Sequence, residues 1–250
     1  MALGLLLAFA SPLAGGEPSR RTLEAFQRHV QSTEALLDRQ GLWVDTDPSK
    51  RQRVLQGALL VEPHTGKGLI EIDGGLIHDW IGTVFVPGVT LDQVLALVQD
   101  YDRHKIIYPD VMDSRIIQRD GDHFKIFLRL KRKQVLTVVL DSDHDVQYQR
   151  LSKTAARSKS YTTRIVEVEK AGTPAERVLP PSASHGYLWR LDTYWRFEEQ
   201  DNGVYIECEA ISLTRNVPTG LGWLFEPIIR DLPGQSLERT LTATRKALGR

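Results

Sequence analysis

The sequence predicts an α+β fold in which one antiparallel sheet of seven strands is covered by a C-terminal helix. Stretches with a two-residue apolar period follow one another along most of the second half of the chain. The tight-turn pairs Asp120-Gly121 and Asn202-Gly203 join two sets of these stretches as hairpins. Residues 237–248 instead repeat leucine at helical spacing. Consecutive hairpins give an antiparallel sheet, and the terminal helix is available to cover its apolar face.

Composition and charge are those of an ordinary globular protein. The chain has 250 residues, of which 41% are hydrophobic and 26% charged. Its 32 basic and 32 acidic residues give a formal net charge of +0, which argues against a general nucleic-acid binder. Cys208 is the single cysteine, so an intrachain disulfide and a multi-cysteine zinc cluster are both excluded.

Residues 1–16 are predicted to be a signal peptide of the bacterial type. Apolar residues fill most of the segment from Met1 to Ala14, and small residues follow at 14–16. The run is shorter than the roughly 20 residues that a membrane-spanning helix needs. No Lys or Arg precedes it, which departs from the usual pattern. We therefore expect export to the periplasm or the medium; without this processing the protein would be cytoplasmic.

Residues 17–74 are predicted to form an N-terminal extension. Apolar side chains at helical spacing predict a helix over 22–40, and Gly41 is a natural stop. A polar connection is expected over 45–53, followed by a weak hairpin over 58–72.

The main domain is predicted over 75–250. Its first strand covers 76–86 and ends at a Pro-Gly pair. Thr90 is the expected N-cap of a helix over 91–101, and a short second helix is expected over 102–107.

Six strands and two helices are predicted to follow. The strand ranges are 111–119, 123–131, 134–148, 158–169, 187–198 and 204–215. A loop rich in Pro and Ser, from Gly172 to Ser184, separates the fourth of these strands from the fifth. Helices are expected over 221–230 and 237–248, with a break at Pro233-Gly234.

Several local motifs within 75–248 carry a family resemblance. They are WIGTVFVPG at 80–88, DYDRH at 100–104, YPDV at 108–111, WRFEE at 195–199, GVYIE at 203–207, ISLTR at 211–215, VP at 217–218 and LGWLF at 221–225. With the element order, they resemble the START-like domains of the SRPBCC superfamily, which includes birch-pollen-allergen-like and polyketide cyclase/dehydrase-like proteins. The resemblance implies a helix-grip fold, in which a curved seven-stranded antiparallel sheet wraps around a long C-terminal helix, here with an N-terminal helical extension. Members of this superfamily mostly bind lipids, sterols, quinones or polyketide-like molecules between sheet and helix.

A cavity of this kind would be lined by the apolar face of the last two strands and by the terminal helices. The large side chains at alternate positions of 187–197 face smaller ones on 204–210, which leaves room for a ligand. A packed core would explain the same residues. The predicted ligand-binding residues are Tyr187, Trp189, Leu191, Thr193, Trp195, Ile206, Cys208, Leu224, Ile228 and Leu241.

No catalytic residue, cofactor site or metal ligand is predicted. The sequence lacks the G-x-S-x-G, H-E-x-x-H, P-loop and G-x-G-x-x-G motifs. His78 and Asp79 are expected on opposite faces of one strand, so they cannot form a dyad. Asp141, Asp143 and Asp145 share a face, but no glycine-bearing loop surrounds them, and we interpret them as a solvated polar edge.

The sequence therefore favours non-enzymatic binding or carriage of an apolar small molecule, such as a lipid, quinone or isoprenoid-like compound. Two alternatives stay open: a cyclase or aromatase-type enzyme that uses the same cavity, and an interaction domain with a filled core. The basic cluster at 129–133 leaves a transient contact with a membrane surface open as well, although a solvated turn is the simpler interpretation. No nucleic-acid partner is expected.

Overall fold

The structure, a computed structural model, describes residues 16–133, 137–216 and 222–249, with side chains for all of these except 222–230. The predicted signal peptide lies almost entirely outside the described residues. The helices are α1 (Arg20–Leu37), α2 (Pro48–Leu55), α3 (Leu91–Val98), α4 (His104–Ile107) and α5 (Gly222–Gly249). The strands are β1 (Leu60–Pro63), β2 (Leu69–Ile72), β3 (Gly75–Pro87), β4 (Val111–Asp120), β5 (His123–Lys133), β6 (Thr137–Arg150), β7 (Ala155–Glu169), β8 (Arg177–Val178), β9 (Arg190–Gln200) and β10 (Gly203–Arg215).

The α+β prediction and its seven long antiparallel strands are confirmed. They lie in the order β3-β10-β9-β7-β6-β5-β4, and β1, β2 and β8 add short pieces at β3 and β7. Both predicted turns join hairpins, because Asp120 pairs with His123 and Gln200 pairs with Gly203. Thr90 caps α3: its side chain accepts a hydrogen bond from the Gln93 amide, and the Gln93 side chain accepts one from the Thr90 amide. None of the helices described here is long and apolar enough to cross a membrane.

Two predictions for the N-terminal extension are wrong. The polar connection over 45–53 contains α2, because Pro48 occupies its first turn and Asp47 accepts a hydrogen bond from the Ser49 amide at 2.8 Å. The hairpin over 58–72 does not form, since β1 and β2 both pair with β3 and lie end to end along its edge. Each short strand pairs with β3 over all four of its residues.

The predicted break at Pro233-Gly234 is also wrong, because α5 is continuous through it. Proline removes one amide donor from a helix, but packing against the sheet outweighs this loss. Gly234 lies against the indole of Trp80, and a Cβ there would stand 2.6 Å from ring carbons. The glycine therefore permits close approach of helix to sheet and does not end the helix.

The inner face of the sheet is the one that α3 and α5 cover. Helix α5 packs on β3, β10 and β1 and contacts α3. Leu237 and Leu241 of α5 share a core with residues of the inner face, among them Val84, Val86, Phe124, Ile126, Val146, Phe197, Val204, Ile206 and Cys208. Burial of this apolar surface is the main favourable contribution to the fold.

The outer face is covered as well, by the N-terminal extension. Phe26 and Val30 of α1 pack on Ile77 and Ile211. A second patch joins Leu42, Val44 and Val54 of the extension to Phe85 and Tyr205 of the sheet. Strands β3 and β10 are consequently buried along both faces.

Candidate functional site

Most of the residues predicted to bind a ligand lie on the inner face of β9 and β10, and we call this surface the wall. Opposite pairs are Leu191 with Ser212, Thr193 with Ala210, Trp195 with Cys208, and Phe197 with Ile206. The rings of Trp195 and Phe197 stack with centroids 6.0 Å apart. Leu241 of α5 closes this wall from above, over Gly82, which pairs with Cys208.

Tyr187 and Trp189 do not belong to this wall, and their predicted position is wrong. Strand β9 begins at Arg190, so the alternation seen in the sequence does not extend to them. Trp189 packs in the outer core with Phe26 and Val30. Tyr187 is exposed and stacks on His185. The side chains of Leu224 and Ile228 lie outside those described.

Sequence analysis missed a patch of buried polar side chains on the inner face of β6 and β7. Nε2 of His144 lies 2.9 Å from the Ser142 hydroxyl. Opposite β6, Ser158 pairs with Tyr148 and Ser160 with Val146. Ser158 is 2% exposed, and its hydroxyl makes no hydrogen bond to the described residues. The alternation of Ser142, His144, Ser158 and Ser160 with charged residues was the signal that could have located this patch.

Tyrosines close the interior beside α3 and α4. The hydroxyls of Tyr101 and Tyr148 lie 2.9 Å apart, and the Tyr148 hydroxyl donates to the Val98 carbonyl at 3.2 Å. The hydroxyl of Tyr108 lies 3.2 Å from that of Thr244 on α5, and burial raises the pKa of Tyr108 to about 12. These phenols are neutral at physiological pH and serve as positioned hydrogen-bonding groups.

The imidazole of His144 is neutral at pH 7, since burial lowers its pKa to about 4. An unfolded histidine has a pKa of about 6.5, so acidification protonates the unfolded chain first and the native state loses stability between these two values. When the pH falls from 7 to 5, wild type should therefore lose about 2 kcal/mol more unfolding free energy than His144→Gln does. Urea unfolding at both values measures this, and a pH-independent difference between the proteins would contradict the neutral assignment.

The other candidate groups have structural partners. His78 and Asp79 point to opposite faces, as predicted: the His78 imidazole meets the Thr214 hydroxyl at 2.9 Å, and Asp79 lies under α1. Each of the three aspartates of β6 has a basic neighbour. The pairs are Asp141 with Arg129, Asp143 with Arg164, and Asp145 with His123.

Two arginines of the basic cluster at 129–133 have acidic partners. Arg129 contacts Glu176 besides Asp141, and Arg132 contacts Asp110. This pairing weakens the case for a membrane-facing patch. One surface groove, of about 750 Å³, lies on the outer face beside Arg129 and Asp141, away from the predicted site.

Comparison with known proteins shows a likeness at the level of the fold. No family model matches the sequence, and no curated protein matches it either. TTHA0849 from Thermus thermophilus superposes with a TM-score of 0.50 at 12% identity, covering 67% of this chain and 94% of that one. A STAR-related lipid transfer protein from Xanthomonas axonopodis gives 0.49 at 16% identity, over 73% and 99% of the two chains. The Zhui aromatase/cyclase from Streptomyces gives 0.46 at 13%, over 69% and 93%.

At these identities the comparisons bear on the fold and not on activity. The seven-stranded antiparallel sheet, the α3–α4 pair after its first long strand and the long C-terminal helix across its inner face agree with the architecture that the sequence motifs implied. The protein thus has the START-like helix-grip fold, with an N-terminal extension that covers the outer face of its sheet.

Proposed function

We propose that the protein binds an apolar small molecule between the inner face of its sheet and α5, and carries it without chemical change. A lipid, quinone or isoprenoid-like compound suits such a site. The aromatic and aliphatic side chains of β9, β10 and α5 supply the apolar contact. Affinity would come mainly from buried apolar area, at about 25 cal/mol per Å² before the costs of association.

The observation that carries this proposal is the buried hydroxyl of Ser158, which makes no hydrogen bond to the described residues. A buried hydroxyl without a hydrogen bond costs about 1–3 kcal/mol, and most buried polar groups avoid this cost. Ser158 lies opposite Trp195 on one side and Tyr148 on the other. An oxygen atom at one end of an otherwise apolar ligand would pair with this hydroxyl while the remaining atoms contact the aromatic wall.

A cyclase or aromatase-type reaction is the second candidate, and the His144–Ser142 pair favours it. A general base works best with a pKa near the operating pH. The pKa of His144, lowered to about 4, makes this imidazole a weak base at pH 7. Binding therefore remains the better-supported function.

Native mass spectrometry of gently purified protein, followed by solvent extraction, tests the proposal. We expect one apolar molecule per chain. Ser158→Phe should reduce its occupancy at least tenfold by filling the site, whereas Thr163→Phe, at an exposed position of the same strand, should not. A folded wild-type protein that is recovered empty and whose melting temperature does not respond to lipids would instead indicate a filled-core interaction domain.

We propose also that residues 1–16 are removed during export. The apolar run and the small residues that follow it support this step. Intact-mass measurement of protein from the periplasm of an expressing bacterium should show a chain that begins near residue 17, and a full-length chain confined to the cytoplasm would contradict export.

A further inference from the structure

Three potential metal ligands meet on the outer face, on the opposite side of the sheet from the proposed ligand site. Ligand atoms of His64, Asp79 and Glu209 all lie within 4.8 Å of one another. Nδ1 of His64 is 2.7 Å from Oε1 of Glu209 and 3.7 Å from Oδ1 of Asp79. The cluster combines one imidazole nitrogen with two carboxylates, a donor set typical of divalent transition metals.

Regular secondary structure positions all three side chains. Asp79 pairs with Ile211 and Glu209 pairs with Ile81, so the two carboxylates are diagonal neighbours on one face of the β3–β10 ladder. His64 lies in the link between β1 and β2. Its amide donates to the Asp79 carbonyl at 3.0 Å, and the Asp79 amide donates to the Gly68 carbonyl at 3.2 Å. The link is thereby fixed against the strand that carries Asp79.

Both carboxylates are fully buried and still have unused acceptor capacity. Asp79 is 0% and Glu209 is 1% exposed. Oδ1 of Asp79 and Oε2 of Glu209 make no hydrogen bond to the described residues. Buried charged oxygens normally have partners, so this pair points to a ligand that the protein itself does not supply. His64 is partly exposed and provides a route from solvent.

The second oxygen of Asp79 is already oriented by other groups. Nε2 of His29, on α1, lies 2.8 Å from Oδ2, and the Thr65 hydroxyl donates to the same atom at 2.6 Å. Hydrogen bonds to the outer oxygen of a ligating carboxylate are a regular feature of metal sites.

We propose that His64, Asp79 and Glu209 bind one divalent transition-metal ion of the zinc class, with His29 and Thr65 holding Asp79 in place. Metal–ligand bonds of about 2.0–2.2 Å in a tetrahedral site put ligand atoms about 3.3–3.5 Å apart. The distances of 2.7 and 3.7 Å from Nδ1 of His64 to the two carboxylates lie on either side of that value. A water molecule would complete the tetrahedron as the fourth ligand. The ion joins the 64–68 link to the sheet and, through His29, steadies α1. Sequence analysis predicted no metal ligand because these residues lie in separate elements and far apart in the chain.

Zinc alone is the probe for this site, with the full chain treated first with a chelator. Titration calorimetry and elemental analysis should give one Zn²⁺ per chain, and the melting temperature should rise with Zn²⁺ concentration. His64→Ala and Glu209→Gln should each weaken Zn²⁺ binding at least tenfold while circular dichroism shows them folded. His123→Ala is the matched control, since that histidine pairs with Asp145 on the same face but outside the cluster, and it should bind as wild type does.

Cobalt substitution supplies a spectroscopic signature. Visible absorption typical of tetrahedral Co²⁺ should appear in wild type and disappear in Glu209→Gln. Folded wild-type protein that takes up no stoichiometric zinc, or zinc uptake that both ligand variants leave unchanged, would overturn the proposal. The ligand site on the inner face is tested by separate variants, so the two proposals stand or fail independently.

Discussion

Replacement of Leu241 by alanine is expected to lower the free energy of unfolding by about 2–5 kcal/mol. The side chain is 0% exposed and belongs to the core that joins α5 to the inner face of the sheet. Its Cδ1 atom lies over Gly82, which has no side chain of its own to fill the space that the shorter residue would leave. Urea unfolding followed by tryptophan fluorescence measures the loss.

Thr242→Ala is the control for this variant. Thr242 follows Leu241 on the same helix but is exposed, and its replacement should change stability by less than about 0.5 kcal/mol. The single thiol adds a second readout, because Cys208 is buried beneath α5 and should react with maleimide faster in Leu241→Ala. Equal stability losses in both variants would contradict the packing of α5 described above.

Replacement of Asp79 by alanine, measured in the presence of a chelator, is expected to cost about 3–5 kcal/mol. The buried carboxylate accepts hydrogen bonds from His29 and Thr65, and both groups would lose their partner. Hydrogen bonds from these two residues, together with the nearby His64 imidazole, hold the pKa of Asp79 well below the ordinary value, against the effect of burial, so the group is charged at neutral pH. Chemical unfolding gives the size of the effect, with Glu71→Ala at an exposed site of β2 as the control.

Loss of Asp79 should also release α1 from the sheet. His29 is the polar contact of α1 with this cluster, so protease cleavage within 20–37 should become faster in Asp79→Ala than in Glu71→Ala. Identical cleavage rates would mean that the other contacts of α1, among them those of Phe26 and Val30, hold the helix without His29.

Local sequence signals predicted the strands and turns well. Asp120-Gly121, Asn202-Gly203 and the Thr90 cap depend on neighbouring residues only, and all three are found where predicted. Pro233 was misread because its effect on a helix depends on packing against a sheet far away in sequence. The hairpin predicted over 58–72 was wrong for the same reason, because β1 and β2 both pair with the distant strand β3.

The acidic residues of the outer face show the limit of period-two reasoning. Glu207 and Glu209 alternate with the inner residues Ile206 and Cys208 along β10. They do point outward, but the N-terminal extension covers them. Glu207 is paired with Arg196, the Thr83 hydroxyl and the Trp43 amide. Alternation identifies the face of a side chain and not the element that lies upon it.

Part of the candidate site could likewise be predicted. Leu191, Thr193, Trp195, Ile206, Cys208 and Leu241 lie on the inner side, as the alternation indicated. The polar patch of β6 and β7 was missed because hydroxyl and imidazole groups look the same in sequence whether they are solvated or buried.

The central prediction is that an apolar ligand enters between the sheet and α5. Titration of ¹⁵N-labelled protein with oleate, followed through the indole N–H signals, tests it most directly. Trp195 lines the inner face, while Trp43 and Trp189 belong to the outer side. We predict that the Trp195 signal shifts saturably and that those of Trp43 and Trp189 do not. A titration in which only the outer indoles respond, or in which none responds, would contradict the account.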